Sequence, residues 1–392
     1  MININIIKYM KKIIKKIVFT AFLFSLFLPF GTQAQVEGNE VQESIFKAEV
    51  IEIIDEELIE FQNGSAQLQQ DLKLEGLEGE YKGEEIIFRG IGDLEVLSAQ
   101  IYEVGDKVLM AHSQGPTGED FYYIVEAYRT NSIWYLLALF VAVLLIVGRW
   151  KGFRSLIVLS LTFFIIISFI IPKILAGNNP LMITILGSLL ILLIIIYITE
   201  GFKTKSHLAV VSIFASLIIT IFTSWLFVNL AQLTGAASED ILFLFNIEGA
   251  TINLKGLLLA GIIIGALGVL DDAVISQIST AKEIASSNLS YRFKEIFTKT
   301  YRVGVSHIAS MTNTLFLAYA GVSLPLLILF ISGESPFNSL EQIINTELIA
   351  TEIIRTLSGT IGLIFSVPVA TFLASWYYGR ENEKKDKSYG KE

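Results

Sequence analysis

The chain contains no cysteine, which excludes disulfides, thiolate nucleophiles and cysteine-held metals or iron–sulfur clusters. Histidine is almost as scarce. Its three copies, His112, His207 and His307, lie far apart in sequence and argue against a histidine-rich metal site. Walker A, HExxH, G-x-S-x-G and Rossmann glycine motifs are all missing. The chain is therefore not expected to be an enzyme, to drive transport with ATP on its own, or to hold a cofactor or metal. Lys and Arg are also absent from two long stretches, Ala231–Asn253 and Ser332–Glu352.

Apolar residues, by contrast, are abundant. Of 392 residues, 53% are hydrophobic, and the mean hydropathy is +0.61. That is too apolar for an ordinary soluble domain. Several runs approach the ~20 residues that cross a bilayer core. Charge is unevenly divided. Residues 37–130 carry 22 Asp/Glu against six Lys/Arg, a net −16, and the remainder of the chain is at +7. The acidic block argues against nucleic acid or anionic lipid as a partner there.

Lys8, Lys11, Lys12, Lys15 and Lys16 precede a short apolar run, Ile17–Phe30, and the small-x-small sequence Thr32-Gln33-Ala34. This is the pattern of a signal peptide over residues 1–34, with an uncleaved anchor as the alternative. Residues 35–130 have β character. Runs such as Ile45–Ile54 and Glu85–Arg89 are rich in β-branched residues, and Ile101–Met110 reads as two short strands about a Gly-Asp turn. Turn residues separate them, which suggests a small extracytoplasmic β-barrel or sandwich. Residues 131–378 form the membrane domain. Its segments are Ser132–Gly148, Leu156–Ile171, Leu181–Ile198, Leu208–Leu230, Leu254–Leu270, Val305–Ile331 and Ile353–Tyr377. Residues 379–392 are a charged tail. The fold class expected is an α-helical polytopic membrane protein with seven transmembrane helices after a signal segment, carrying a small β-rich outer domain.

Loop charge supplies a direction. Arg149–Arg154, Lys203 with Lys205, Asp271–Gly304 and the tail are basic, and the intervening connections are not. The positive-inside rule then places residues 35–130 outside a cell membrane and the C-terminus in the cytoplasm.

The segment Gly261-Ile-Ile-Ile-Gly265-Ala-Leu-Gly268-Val-Leu-Asp271-Asp272 holds the densest set of candidate residues. On a helix, Gly261, Gly265, Gly268 and Asp272 fall within ~60° of one another, and Asp271 sits ~100° away. The glycines suit close helix packing. An aspartate in an apolar span suits proton or cation handling, or else marks the cytoplasmic end of the helix. In the next segment, Ser306, Ser310 and Asn313 share one face, and His307 and Thr314 the adjacent one. With Thr312, these residues either hydrogen-bond neighbouring helices or line a pathway. In the last segment, Glu352, Thr356, Gly359 and Ser366 form a stripe, and Glu352 with Arg355 is spaced for an ion pair at the outer interface. Pro325 and Pro368 are candidate kinks. Two aspartates on separate helices, which intramembrane aspartyl proteolysis would need, are not present.

These residues resemble the YibE/F family of multipass membrane proteins. The likeness rests on Gly261–Ser276, Met311–Pro325 and Glu347–Arg355, with Gly148–Arg154 and Tyr102–Val108, and extends over roughly residues 45–378. Asp272 matches the acid shared by the family, and Asp271 stands where many members have Met. The resemblance implies a permease-like protein. The expected pathway residues are therefore Asp272, Asp271, Thr312, Asn313, Thr314, Glu352 and Arg355, with Gly261, Gly265, Gly268 and Gly359 as packing positions. The expected partners are the lipid bilayer, a small solute or ion, and an extracytoplasmic protein docking on residues 35–130. A homo-oligomer is left open. The alternative reading is a non-transporting scaffold or sensor whose outer domain binds an envelope or protein partner. A membrane-embedded hydrolase is a distant third.

Overall fold

A computed structural model of the chain describes residues 44–60, 66–91, 100–114, 119–237, 241, 244, 252–332 and 339–389. The expected signal segment, the Asn63-Gly64 turn and the Gly115-Pro116 turn lie outside the described residues. The chain divides into two compact units between Val147 and Gly148.

The first unit is built on one antiparallel sheet. Its strands are β1 (Ser44–Glu60), β2 (Ala66–Gly76), β3 (Glu85–Arg89), β4 (Lys107–Gln114) and β5 (Asp120–Ala127), in the order β3-β2-β1-β4-β5. Alternation sets the inward face. Phe46, Ala48 and Val50 of β1 turn inward between Lys47 and Glu49. They meet Leu72, Leu74, Ile86, Phe88, Val108 and Met110 in a single core. Register shifts at Val50/Glu52 and Ile53/Asp55 bend β1, as extra residues in a ladder do. The sheet curls until its edge strands β3 and β5 come near each other. The result is a half-barrel. The small barrel or sandwich expected from the sequence is met in part, as a single sheet that curls like a barrel. The Gly-Asp turn is present at Gly105 (φ +98°), but only its second arm is a strand. Gly105 N–H donates to the Val50 carbonyl at 2.8 Å, so the first arm serves as a loop against β1.

The second unit is helical. Its helices are α1 (Thr130–Ile165, prolonged through a π turn to Leu175), α2 (Pro180–Thr199), α3 (Thr204–Leu230), α4 (Leu254–Ser287), α5 (Phe293–Val322), α6 (Leu324–Ile331), α7 (Leu340–Ile344) and α8 (Glu347–Tyr389). The first residues of α1 belong to the other unit. Among the described residues, five helices are long and apolar enough to cross a membrane: Thr130–Leu175, Pro180–Thr199, Thr204–Leu230, Leu254–Ser287 and Glu347–Lys387. Two of the expected segments share α1, which is broken where Arg149 takes φ 47° and ψ −129°. The expected Val305–Ile331 segment is divided between α5 and α6 at Ser323, with Pro325 in the first turn of α6. The polar residues of α5 keep it off the apolar list. α8 runs unbroken through Pro368.

Helices α3, α4 and α8 form the centre of this unit, each packed on the other two. Small residues make the close approaches. Ser212, Ser216, Thr220 and Ser224 recur every four residues along α3, all buried. Each hydroxyl donates to the carbonyl four residues back, at 2.7–3.1 Å. This leaves a narrow, internally satisfied face for α8, where Gly362 meets Thr220. Gly304 of α5 lies against Gln277 of α4 and Val367 of α8, and Gly379 of α8 lies on the backbone of Phe293. With 34 and 43 residues, α4 and α8 reach about 51 and 65 Å at 1.5 Å per residue, far beyond a ~30 Å hydrocarbon layer. Beyond that layer they stay tied together. Asn382 Nδ2 donates to the carbonyls of Ala285, Asn288 and Tyr291 at 2.9, 3.4 and 3.2 Å, and Arg292 pairs with Asp386.

Candidate functional site

The structure turns the glycine stripe of α4 outward. The buried residues of this helix (Ile262, Ile263, Ala266, Leu267, Leu270, Ala273, Val274 and Gln277) are centred ~170° from Gly261, Gly265, Gly268 and Asp272, all of which are exposed. Space beside Gly261 and Gly268 is open. A Cβ on Gly265 would lie 3.4 Å from the hydroxyl of Tyr319 on α5. Gly261 and Gly268 are therefore not contact points between helices within this chain, and Gly265 meets only the Tyr319 side chain. Gly187, Gly304, Gly362 and Gly379 take that part. Gly359 is buried on α8, yet a side chain there would also meet nothing within 4 Å.

Asp272 is exposed at the inner end of the stripe, and Asp271 is half-buried beside it. The Asp271 carboxylate accepts the Asp272 backbone N–H at 2.9 Å. From Leu254 to Asp271 is about 26 Å along the helix. Gly261 to Asp272 is about 16 Å along the helix.

Glu352 and Arg355 form an ion pair of 3.0 Å within α8. Tyr319 lies within electrostatic range of both. Glu352 lies five residues, about 7.5 Å, from the start of α8, where the Glu347 carboxylate accepts the Thr234 and Gly235 backbone N–H groups at 2.7 and 2.8 Å. Arg355 Nε, Thr312 Oγ1 and Thr351 Oγ1 are buried without a hydrogen-bond partner. Buried polar atoms without partners are costly unless water or a solute reaches them. Sequence reasoning missed Tyr319, whose spacing from Thr312 and Leu315 on one helical face was its only signal.

The α5 residues separate into two groups. Ile308, Met311, Thr312, Leu315 and Tyr319 are half-buried toward the bundle. Ser306, Ser310 and Asn313, with Leu317, point ~170° away and are exposed. Thr314 is also exposed and donates to the Ser310 carbonyl at 3.1 Å. The structure thus sets Tyr319 between Gly265 and the Glu352–Arg355 pair, turns Thr312 to the same side of α5, and leaves Asn313 and Thr314 on the outward side. A second polar node lies deeper toward the helix overrun. Gln277 Nε2 donates to the Thr300 carbonyl at 2.9 Å and to Thr371 Oγ1 at 2.7 Å, joining α4, α5 and α8.

The half-barrel unit carries its own polar chain. Ser44 Oγ meets Tyr81 OH at 2.7 Å, Tyr81 OH meets His112 Nδ1 at 2.8 Å, and His112 Nε2 meets Asp120 Oδ1 at 2.8 Å. Tyr122 stacks on His112, and Phe46 stacks on Tyr81. The His112 and Gln114 hydrogen bonds hold the Asp120 carboxyl below its usual range. Burial pushes the Tyr122 hydroxyl up. Among the described residues, no group of three or more acidic or histidine side chains is placed to hold a metal.

Long apolar helices packed through small residues define a helical protein of membrane type. A family model described as YibE/F-like protein matches residues 136–380, well over half of the chain. The chain belongs to the YibE/F-like family. No curated protein and no solved structure matches it.

Proposed function

We propose that this chain is a multi-pass cell-membrane permease passing a small solute or ion along the glycine face of α4. In this reading the seven spans are the two halves of α1, then α2, α3, α4, α5 with α6, and α8. The half-barrel lies outside and the charged end of α8 inside, as the alternation of basic loops implies. Asp272 stands at the inner mouth. Gly268 and Gly265 leave room for the solute, and Thr312, Tyr319, Glu352 and Arg355 form the polar waist. The observation that carries the reading is the Glu352–Arg355 pair within α8, with Arg355 Nε and Thr312 Oγ1 buried and unpartnered. Such groups are retained in a membrane helix where they face a pathway.

Flux of protons or monovalent cations into proteoliposomes tests it. Arg355→Gln is expected to abolish flux, and Asp272→Asn to alter its pH dependence. Flux unchanged by both substitutions overturns the assignment.

The scaffold reading has one observation in its favour. The far half of β1 projects Glu52, Asp55, Glu56, Glu57 and Glu60 as an exposed acidic arm, suited to a basic partner. Binding lost on deleting residues 35–128, with no flux in any variant, is the outcome that favours it.

A further inference from the structure

We infer that the outward face of α5 is the interface of a homodimer, formed with the same face of a second copy of this chain. The inference rests on the reading that α5 spans the membrane. Arg302 is the last basic residue before the span. Asn313 lies eleven residues further on, about 16 Å along the helix, which in that reading is inside the hydrocarbon layer. Its side chain is exposed and makes no hydrogen bond among the described residues, and neither do the hydroxyls of Ser306 and Ser310 one and two turns below. Around them the same face carries Ala309, Leu317, Ala320 and Gly321, all exposed. Small residues with hydrogen-bonding side chains at helical spacing are what associating membrane helices use, because the backbones approach closely and the polar groups find partners.

Three occupants compete for this face. Lipid tails offer no hydrogen bond to Asn313. The apolar stretch of α1, Leu136–Val147, contains no side chain that donates or accepts one. A second copy offers the same amide at the same depth. Two copies inserted in the same direction are related by a two-fold axis along the membrane normal. That axis brings α5 beside its mate, running parallel, with Asn313 opposite Asn313. An amide both donates and accepts, so the pair is self-complementary. The charged ends of Arg302 then fall at headgroup depth, where lipid phosphates and water screen their repulsion.

The absence of native cysteine makes the test direct. Single-cysteine variants are oxidised in native membranes. Ser306→Cys, Ser310→Cys, Asn313→Cys and Leu317→Cys are expected to give a species of twice the 43.6 kDa monomer. Met182→Cys and Phe222→Cys, at residues 63% and 60% exposed on other helices, are expected to stay monomeric. Adding Asn313→Leu to Leu317→Cys is expected to lower the dimer yield about threefold, the usual worth of one inter-helix hydrogen bond in a membrane. Monomer at all four α5 positions, or equal cross-linking at the two controls, overturns the dimer. Labelling of Asn313→Cys by a membrane-impermeant maleimide without detergent shows instead that α5 is not a span, and the proposal falls together with the seven-span reading. Protection from the maleimide with no cross-link leaves the span standing and removes the dimer alone.

Discussion

Gly362 and Thr220 share a space that holds only one side chain. A methyl group on Gly362 would overlap Thr220 Oγ1, itself donated to the Ser216 carbonyl at 3.1 Å. Gly362→Ala is therefore expected to cost about 1–3 kcal/mol through overpacking. Thermal unfolding in detergent measures it. The double variant Gly362→Ala/Thr220→Ala is expected to recover at least half the loss, a coupling that independent sites would not show.

Gln277 spans three helices, and its loss is read differently. Gln277→Leu removes the bonds to the Thr300 carbonyl and Thr371 Oγ1, and Thr371 keeps its own bond to the Val367 carbonyl at 2.7 Å. A loss of about 1 kcal/mol is expected. Gln277→Glu faces a carboxylate onto the Thr300 carbonyl and is expected to reduce folded yield well below that of Gln277→Leu, as measured by gel filtration in detergent.

Asp120 sets an acid limit on the half-barrel. Its folded pKa is lowered, chiefly by His112, so its contribution is present above the unfolded value near 3.8 and is lost as pH falls through the folded value. The unit is expected to lose protection against proteolysis below about pH 4. His112→Ala is expected to bring the Asp120 titration back toward its ordinary range, read by NMR of the labelled carboxyl.

Asn382 fastens the turn between α4 and α5. Asn382→Ala leaves three carbonyls without that donor. Hydrogen exchange over residues 286–296 is expected to quicken by about tenfold, the equivalent of ~1.4 kcal/mol of local stability.

Arg149 holds a left-handed φ of 47° inside α1. A side chain there is strained, and glycine is not. Arg149→Gly is expected to raise the unfolding temperature slightly, and Arg149→Val to lower it.

The sequence made the long apolar helices and the inward face of β1 legible, because apolar runs and alternation are local signals. Glu85–Arg89 was found to the residue. Strand β2 was not, since Gln69, Gln70, Asp71 and Lys73 mask Leu68, Leu72 and Leu74. The polar face of α5 was visible as a pattern, but its direction was not. Periodicity groups Ser306, Ser310 and Asn313 without saying which neighbour they meet. The glycines of α4 show the same limit. Small size permits contact, and only the packed structure shows that Gly362 and Gly304 use it while Gly261 and Gly268 do not. The serine ladder of α3 was present in the sequence at four-residue spacing and is as clear a packing signal as the glycines.

The overrun of α4 and α8 has a practical consequence. Membrane proteins of this size are hard to orient in electron micrographs, because a detergent belt hides most of their features. In the proposed membrane arrangement two helices leave the belt together, fastened by Asn382 and the Arg292–Asp386 pair. They form a built-in fiducial, rigidly joined to the bundle, that supplies alignment signal without a fused scaffold or a bound antibody fragment.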